Sequence, residues 1–397
     1  MKNIVFLYPG SASQYVGMGE KLYKRYSIAK NIYDEACDTL NKDIKKLCFN
    51  SSIAKLNKIE NVLPSIFTTS VAYSMVLVHE YGIIPNFVAG HSLGEYSALA
   101  CSGAFSFSDA LNIVQYRSDL AKKVSKEQNA GMCIVNGVEC NKIEQICLEI
   151  SNEKEYIEIA CKNSHFQTIV SGHCSAIDKF IKIISKYSGK AIELIGSAPY
   201  HSILMKDAAK KLRDKLYDCK ISTPKWNVLS NTSCDFFSDK NDIVNNLYLQ
   251  MFTPIDWASI LDKVCIFGDI VIDIGPNSIN KDLLMNEGFK NTVFSFDYDI
   301  EKIRCNIDEI RKQKNVRLVT CALKHIASTP NIAQVSMNDI NDIFLQLQVM
   351  QKNASEENSD FNYEKLLSLL NNLLCLKGLP DEEINTILKE ILVIMNG

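Results

Sequence analysis

No Cys-x-x-Cys pair occurs in this chain, although it holds 14 cysteines; the closest, Cys133, Cys140 and Cys147, stand seven positions apart. That spacing excludes zinc ribbons and thioredoxin-like redox sites. The six histidines are scattered and fit no metal-ligand pattern, so no metal is expected. No run of Lys and Arg forms a basic stripe, and the net charge is -3, which argues against a dedicated nucleic-acid binder. No apolar stretch approaches the roughly 18 residues of a membrane span. The apolar run Ile4–Tyr8 is cut off by Pro9-Gly10 and is too short for the core of a signal peptide. Unpaired cysteines in this number act as small hydrophobes in a reducing compartment, so a cytoplasmic protein is expected. No internal repeat is visible.

What is present is ordinary for a globular enzyme: 47% hydrophobic and 22% charged residues over 397 positions, enough for two or three folding units. Ile4–Tyr8 reads as a strand buried on both faces. The periodicity predicts a helix over 64–81, a short strand at Phe87-Val88-Ala89, a sharp corner from Gly90 to Gly94, and a helix from about Leu93. Further strands are predicted at 227–230 and 270–274. This alternation points to an α/β sheet. Between 129 and 197 the order becomes strand 131–136, helix 141–150, strands 157–160 and 167–170, helix 176–186 and strand 191–195. That βαββαβ order is ferredoxin-like. Beyond 300, amphipathic helices are predicted at 337–351, 362–376 and 380–395, with Ser336 and Pro380 placed to start two of them. The polar stretch 352–359 reads as a link. The simplest role for these helices is a packing appendage.

Gly90-His91-Ser92-Leu93-Gly94 matches G-x-S-x-G, the pattern of a nucleophile held on a tight strand-to-helix turn. The plain alternative is a turn with a capping serine. A serine hydroxyl needs a base. His79 lies on a helical face, His91 within the corner, His165 and His173 in the small module, and His325 in the tail. His201 stands where the chain returns to the main sheet and is the candidate base. No third acid presents itself, because Asp109, Asp119 and Asp178 all fall on predicted helices; a neutral acceptor would then orient His201. Arg117, in the apolar setting Ile113-Val114-Gln115-Tyr116, should face inward. It either pairs with an internal acid or waits for a carboxylate carried by a substrate.

Several segments, taken in order over residues 1–300, resemble the malonyl-CoA:acyl carrier protein transacylase family, which includes acyltransferase domains of polyketide synthases. Tyr8-Pro9-Gly10-Ser11-Ala12-Ser13-Gln14 stands for F-P-G-Q-G-S-Q, and Gly90-His91-Ser92-Leu93-Gly94-Glu95 matches G-H-S-x-G-E. Arg117, Asn163-Ser164 through Gln167 to Gly172, Tyr200-His201-Ser202, Asn231, Gln250 and Asp273-Ile274-Gly275-Pro276 follow at matching places.

The resemblance implies a hydrolase-like large subdomain with a parallel sheet (1–128 and 198–300), an inserted ferredoxin-like small subdomain (129–197), and a C-terminal linker and helical extension (301–397). It implies acyl exchange through Ser92 with His201 as base, the latter oriented by the carbonyl of Gln250. The oxyanion hole would use the N–H groups of Ser11 and Leu93. Arg117, Tyr200 and Asn231 would bind substrate, with Arg117 selecting a malonyl carboxylate and Tyr200 disfavouring bulkier branched units. The substrate would be malonyl-CoA, with no cofactor beyond that thioester, and the partner an acyl carrier protein, free or within a polyketide synthase; the enzyme would be a monomer serving polyketide or fatty acid synthesis.

Departures from the pattern are Ser11-Ala12 in place of Gln-Gly, Leu63 in place of glutamine before Pro64, and Ser118 after Arg117. The segments Val316–Cys321 and Leu345–Gln351 resemble the C-terminal extension of stand-alone acyltransferases that act in trans. Two other readings compete: an acyl hydrolase clearing carrier proteins, which would gain nothing from Arg117, and a non-catalytic carrier-binding module.

Overall fold

The structure is a computed structural model that describes residues 2–187, 189–194, 196–334, 336–354 and 361–396. The chain divides into two compact units, Lys2–Ile300 and Glu301–Gly397. In the first, β1 (Ile4–Tyr8) lies in the centre of the main sheet, and four of its five residues are buried. An uninterrupted apolar run is what a strand covered on both faces requires.

The helix that follows before β2 runs Ile59–Tyr81, five residues longer at its start than the periodicity predicts, with Pro64 inside it. Proline there has no N–H to give the carbonyl of Glu60, which would normally receive it. That carbonyl instead accepts from Lys42 Nζ at 2.6 Å. This helix is long and apolar enough to span a membrane by composition, but its side chains form the core of the large unit.

Next comes β2 (Phe87–Gly90), followed directly by the helix Leu93–Cys101 and then the long helix Phe107–Gln128. The inserted module contains β3 (Ala130–Asn136), the helix Cys140–Ile150, β4 (Ile157–Ser164), β5 (Gln167–His173), the helix Cys174–Ile184 and β6 (Lys190–Glu193). β4 and β5 run further than the sequence reading, and β6 ends at Glu193; Ile195, expected to close it, lies outside the described residues. The chain then returns through β7 (Asn227–Leu229), β8 (Ile255–Asp256), β9 (Ile270–Asp273) and β10 (Thr292–Ser295). The sequence reading had no counterpart for β8 or β10.

The main sheet is parallel throughout, in the order β10-β9-β1-β2-β7. The second sheet has the order β6-β3-β5-β4-β8. Its first four strands pair antiparallel in the ferredoxin-like arrangement, and Val135, Phe180 and Ile143 anchor the core beneath them. β8 joins its edge in parallel, pairing Cys161 with Ile255 and Lys162 with Asp256. The insert is therefore hydrogen-bonded to the large subdomain through a strand of the latter.

The helix Phe296–Ser328, which the sequence reading did not anticipate, breaks its helical geometry at Asp299. The second unit contains most of it and the helices Met337–Ala354, Tyr363–Leu376 and Asp381–Asn396. These share a core of their own, with Leu318, Leu347, Leu366, Leu370, Leu374 and Ile391 buried. The tail is thus a helical unit with an interior of its own, where the apolar stripes of its helices bury one another. Residues 355–359 of the expected link lie outside the described residues; 352–354 are the last turn of a helix. At Ser336 the backbone carbonyl accepts from Ile340 N–H, and at Pro380 it accepts from Ile384 N–H.

Candidate active site

The corner after β2 forces Ser92 into φ 51°, ψ -104°. Such a value is costly for a residue with a side chain and persists only where its surroundings impose it. The flanking glycines show what imposes it. A Cβ on Gly90 would lie 1.9 Å from the carbonyl carbon of Gly94, and one on Gly94 would lie 2.1 Å from the Tyr8 carbonyl oxygen. Only hydrogen fits at either place, and this contact between strand end and helix start holds Ser92 at the tip.

Ser92 Oγ lies 2.7 Å from His201 Nε2, and His201 Nδ1 lies 2.5 Å from the carbonyl oxygen of Gln250. A carbonyl can only accept, so Nδ1 carries the proton and the Nε2 lone pair faces the serine hydroxyl. The backbone at His201 also has positive φ, 60°, and its N–H donates to the Met251 carbonyl. Burial, and then the nearby Arg117 charge, hold the His201 pKa well below its ordinary value. The ring is neutral and ready to take a proton.

Arg117 is 1% exposed. Its Nη2 donates to Ser92 Oγ at 3.1 Å and to Gln250 Oε1 at 3.3 Å, while Nε faces Met251 Sδ at 3.3 Å. The guanidinium lies over the rings of Tyr200 and Tyr96, 4.4 and 5.3 Å from their centroids. Among the described residues no carboxylate stands within 4.0 Å of it. Of the two fates open to this residue, pairing with an internal acid is not the one seen.

Asn231, expected to bind substrate, does something else. Its Oδ1 accepts from Ser92 N–H at 2.7 Å and its Nδ2 donates to the Gly90 carbonyl at 2.7 Å. Both ends of its buried amide brace the corner, so it holds the nucleophile's backbone. Because Ser92 N–H is used in this way, the next free donor on the turn is Leu93 N–H. Neither that group nor Ser11 N–H donates to another backbone or side-chain acceptor among the described residues.

An acid is also present that the sequence reading did not single out. Glu95 is fully buried in the first turn of the helix after the corner. Its Oε1 accepts from Asn231 N–H at 2.6 Å and its Oε2 from Gln250 Nε2 at 2.5 Å. Burial pushes its carboxyl up to about 8 against the pull of those two donors and of Arg117. One signal for it was legible: it is the one charged residue in Leu-Gly-Glu-Tyr-Ser-Ala-Leu-Ala-Cys.

His91 turns away from Ser92. Its Nε2 is 2.8 Å from Asn163 Oδ1, and its ring meets Trp257 edge-on. Asn163 is held by Gln167, and Gln167 by Asn136, so the corner is tied to the insert by a chain of amides.

Ser92 and His201 open onto a cleft of about 710 Å³ between the two subdomains. Leu63 and Leu283 line it from the large subdomain, and Met132, Ile134 and Cys161 from the insert. Ser11 and Ala12 form part of the rim. Ala12 has φ 76°, a left-handed conformation that suits the glycine it replaces and strains an alanine. Leu63 places an apolar side chain where a glutamine would present an amide.

A profile of the acyl transferase domain matches residues 5–246. A malonyl CoA-acyl carrier protein transacylase from Bacillus subtilis is 30% identical over 404 residues, covering 98% of this chain and 100% of that protein. The chain belongs to this acyltransferase family. Its solved relatives include the malonyl CoA-acyl carrier protein transacylase of Clostridium perfringens, with TM-score 0.72 and 30% identity, covering 78% of this chain and 98% of that one. They also include a type II PKS malonyl-transacylase in complex with its acyl-carrier protein, with TM-score 0.71 and 26% identity, covering 74% and 95%. The Bacillus subtilis relative extends along nearly the whole chain, helical tail included, so family membership as an acyltransferase is shown for the full length.

Proposed function

We propose that this enzyme moves a malonyl group from coenzyme A to the phosphopantetheine thiol of an acyl carrier protein through a malonyl ester of Ser92. His201 Nε2 takes the Ser92 proton as Oγ attacks the thioester carbonyl. The N–H groups of Leu93 and Ser11 receive the developing oxyanion. The tetrahedral adduct collapses, His201 returns the proton to the departing coenzyme A sulfur, and the carrier thiol repeats the sequence in reverse. The carbonyl of Gln250 keeps the imidazole in the tautomer that both steps need. Tyr200, stacked on Arg117, narrows the acyl site against branched units.

The observation that carries this reading is Arg117: a buried guanidinium touching the nucleophile, with no carboxylate partner in ion-pair range among the described residues. A malonyl carboxylate would supply that partner bidentately, and an acetyl group would leave it unmet. The reading extends to service in trans for a polyketide or fatty acid synthase, supported by the tail segments Val316–Cys321 and Leu345–Gln351 and by a relative that shares the tail.

Intact-protein mass after incubation with malonyl-CoA or acetyl-CoA, then with a carrier protein, tests it. A malonyl adduct is expected, absent in Ser92→Ala and passed to the carrier. In Arg117→Ala the malonyl-over-acetyl preference should fall at least tenfold, the scale of one lost charge-assisted contact, about 1.5–3 kcal/mol. Unchanged selectivity would refute the malonyl assignment. Turnover to free acid without transfer would show a hydrolase, and an inert protein a binding module.

A further inference from the structure

We propose that Glu95 is a positioning residue for acyl transfer, its two carboxyl oxygens setting the Gln250 amide and the Asn231 backbone and, through them, the Ser92 turn and the Arg117 guanidinium. This inference rests on the functional reading above and deepens it.

A glutamate in the first turn of a helix needs no partner to be tolerated, since the helix dipole favours it there. Glu95 goes beyond that. It is 0% exposed, and among the described residues no cation is within ion-pair distance. Each oxygen instead takes one N–H, from Asn231 and from the Gln250 side chain. Both donors in turn act on the surroundings of Ser92. Asn231 grips the Ser92 N–H and the Gly90 carbonyl. Gln250 uses its amide nitrogen on the Ser92 carbonyl and its amide oxygen on Arg117 Nη2. Its backbone carbonyl orients His201. The sense of the Gln250 amide therefore matters: nitrogen toward Glu95 and Ser92, oxygen toward Arg117. An acceptor at position 95 enforces that sense together with the Ser92 carbonyl and the Arg117 guanidinium. A glutamine at 95 would set an NH2 against one of two N–H donors. Relief by turning the Gln250 amide would aim its NH2 at the guanidinium and its oxygen at the Ser92 carbonyl, a repulsive contact at both ends. Networks of this kind are held by full satisfaction and fail together.

The test is single-turnover acylation of Ser92 by malonyl-CoA and by acetyl-CoA in wild type, Glu95→Gln, Gln250→Ala and the double variant. Gln250→Ala keeps the carbonyl that orients His201. In Glu95→Gln the acylation rate at saturating malonyl-CoA should fall at least tenfold and the malonyl-over-acetyl ratio at least threefold. In the Gln250→Ala background the same change should cost less than threefold, because the amide it orients is gone and the oxygen of the substituted glutamine can still accept from Asn231 N–H. Glu95→Asp, which keeps an acceptor, should recover part of the rate. A wild-type rate in Glu95→Gln would overturn the proposal, as would losses that multiply in the double variant, which mark an independent structural role. If Glu95→Gln does not fold, the same cycle is run with Glu95→Asp, and multiplying losses overturn it equally. Wild type that gains no adduct on Ser92 would instead sink the functional reading, a result distinct from unaffected variants of an active enzyme.

Discussion

His201 can act as a base only while neutral, and burial beside Arg117 keeps it so. A depressed folded pKa means that protonation, and with it loss of rate, comes only as pH falls through a value below 6.5, the ordinary imidazole range. Acylation at pH 6 should stay within twofold of its rate at pH 7.5, read from a pH–rate profile of the single-turnover reaction. Arg117→Ala, by removing the second cause, should move the acidic limb up toward 6.5. The same sign applies to stability: the unfolded chain binds a proton at His201 that the folded chain refuses, so this residue costs stability as pH drops below 6.5. Ala12 offers a second check. Its φ of 76° costs roughly 1–2 kcal/mol in an L-residue, and glycine returns about 0.4–1 kcal/mol of that through chain entropy. Ala12→Gly should therefore gain about 0.5–1 kcal/mol, measured as a shift in denaturant midpoint. At this scale Ser92, His201 and Arg117 were legible because each carries local pattern: a glycine-flanked corner, a chain return, a cation among apolar neighbours. The tasks of Glu95 and Asn231 were not, although Glu95 stands out as the one charge in its helix, because their partners lie 136 and 155 positions away for Glu95 and 139 and 141 for Asn231.

Secondary elements were legible where one period dominates. β1 and the corner helix sit where apolar runs and glycines put them. The helix Ile59–Tyr81 started earlier than expected because Pro64 reads as a beginning, and nothing local announces that Lys42 will satisfy the carbonyl that proline leaves open. Lys42→Met keeps the unbranched side chain out to its ε-carbon position and deletes the donor. It should cost about 1–2 kcal/mol, the desolvation of one unpaired carbonyl, seen in chemical denaturation with an unchanged m-value. β4 and β5 were cut short in the sequence reading because Lys162, Ser164, Ser171 and His173 look like turn residues, although the two strands pair through Ser164 and Gln167. β8, two residues long, has too little sequence to show any period.

For the whole molecule, every residue assigned to the site lies within Lys2–Ile300, and the tail has a core of its own. A fragment of residues 301–397 should fold alone, giving a cooperative helical melt by circular dichroism, since its buried leucines pack against one another. The insert was legible as a module but not in its attachment. Its sheet takes up β8, Ile203 N–H donates to Glu158, and His165 meets Glu287. Fastened along one edge and at its hairpin, the insert forms one wall of the cleft. A wall sorts its guests by standing shape. Under the proposed reading, an acyl chain that does not suit Leu63, Met132 and Ile134 is turned away on arrival. Reshaping that wall would therefore shift preference among acyl groups.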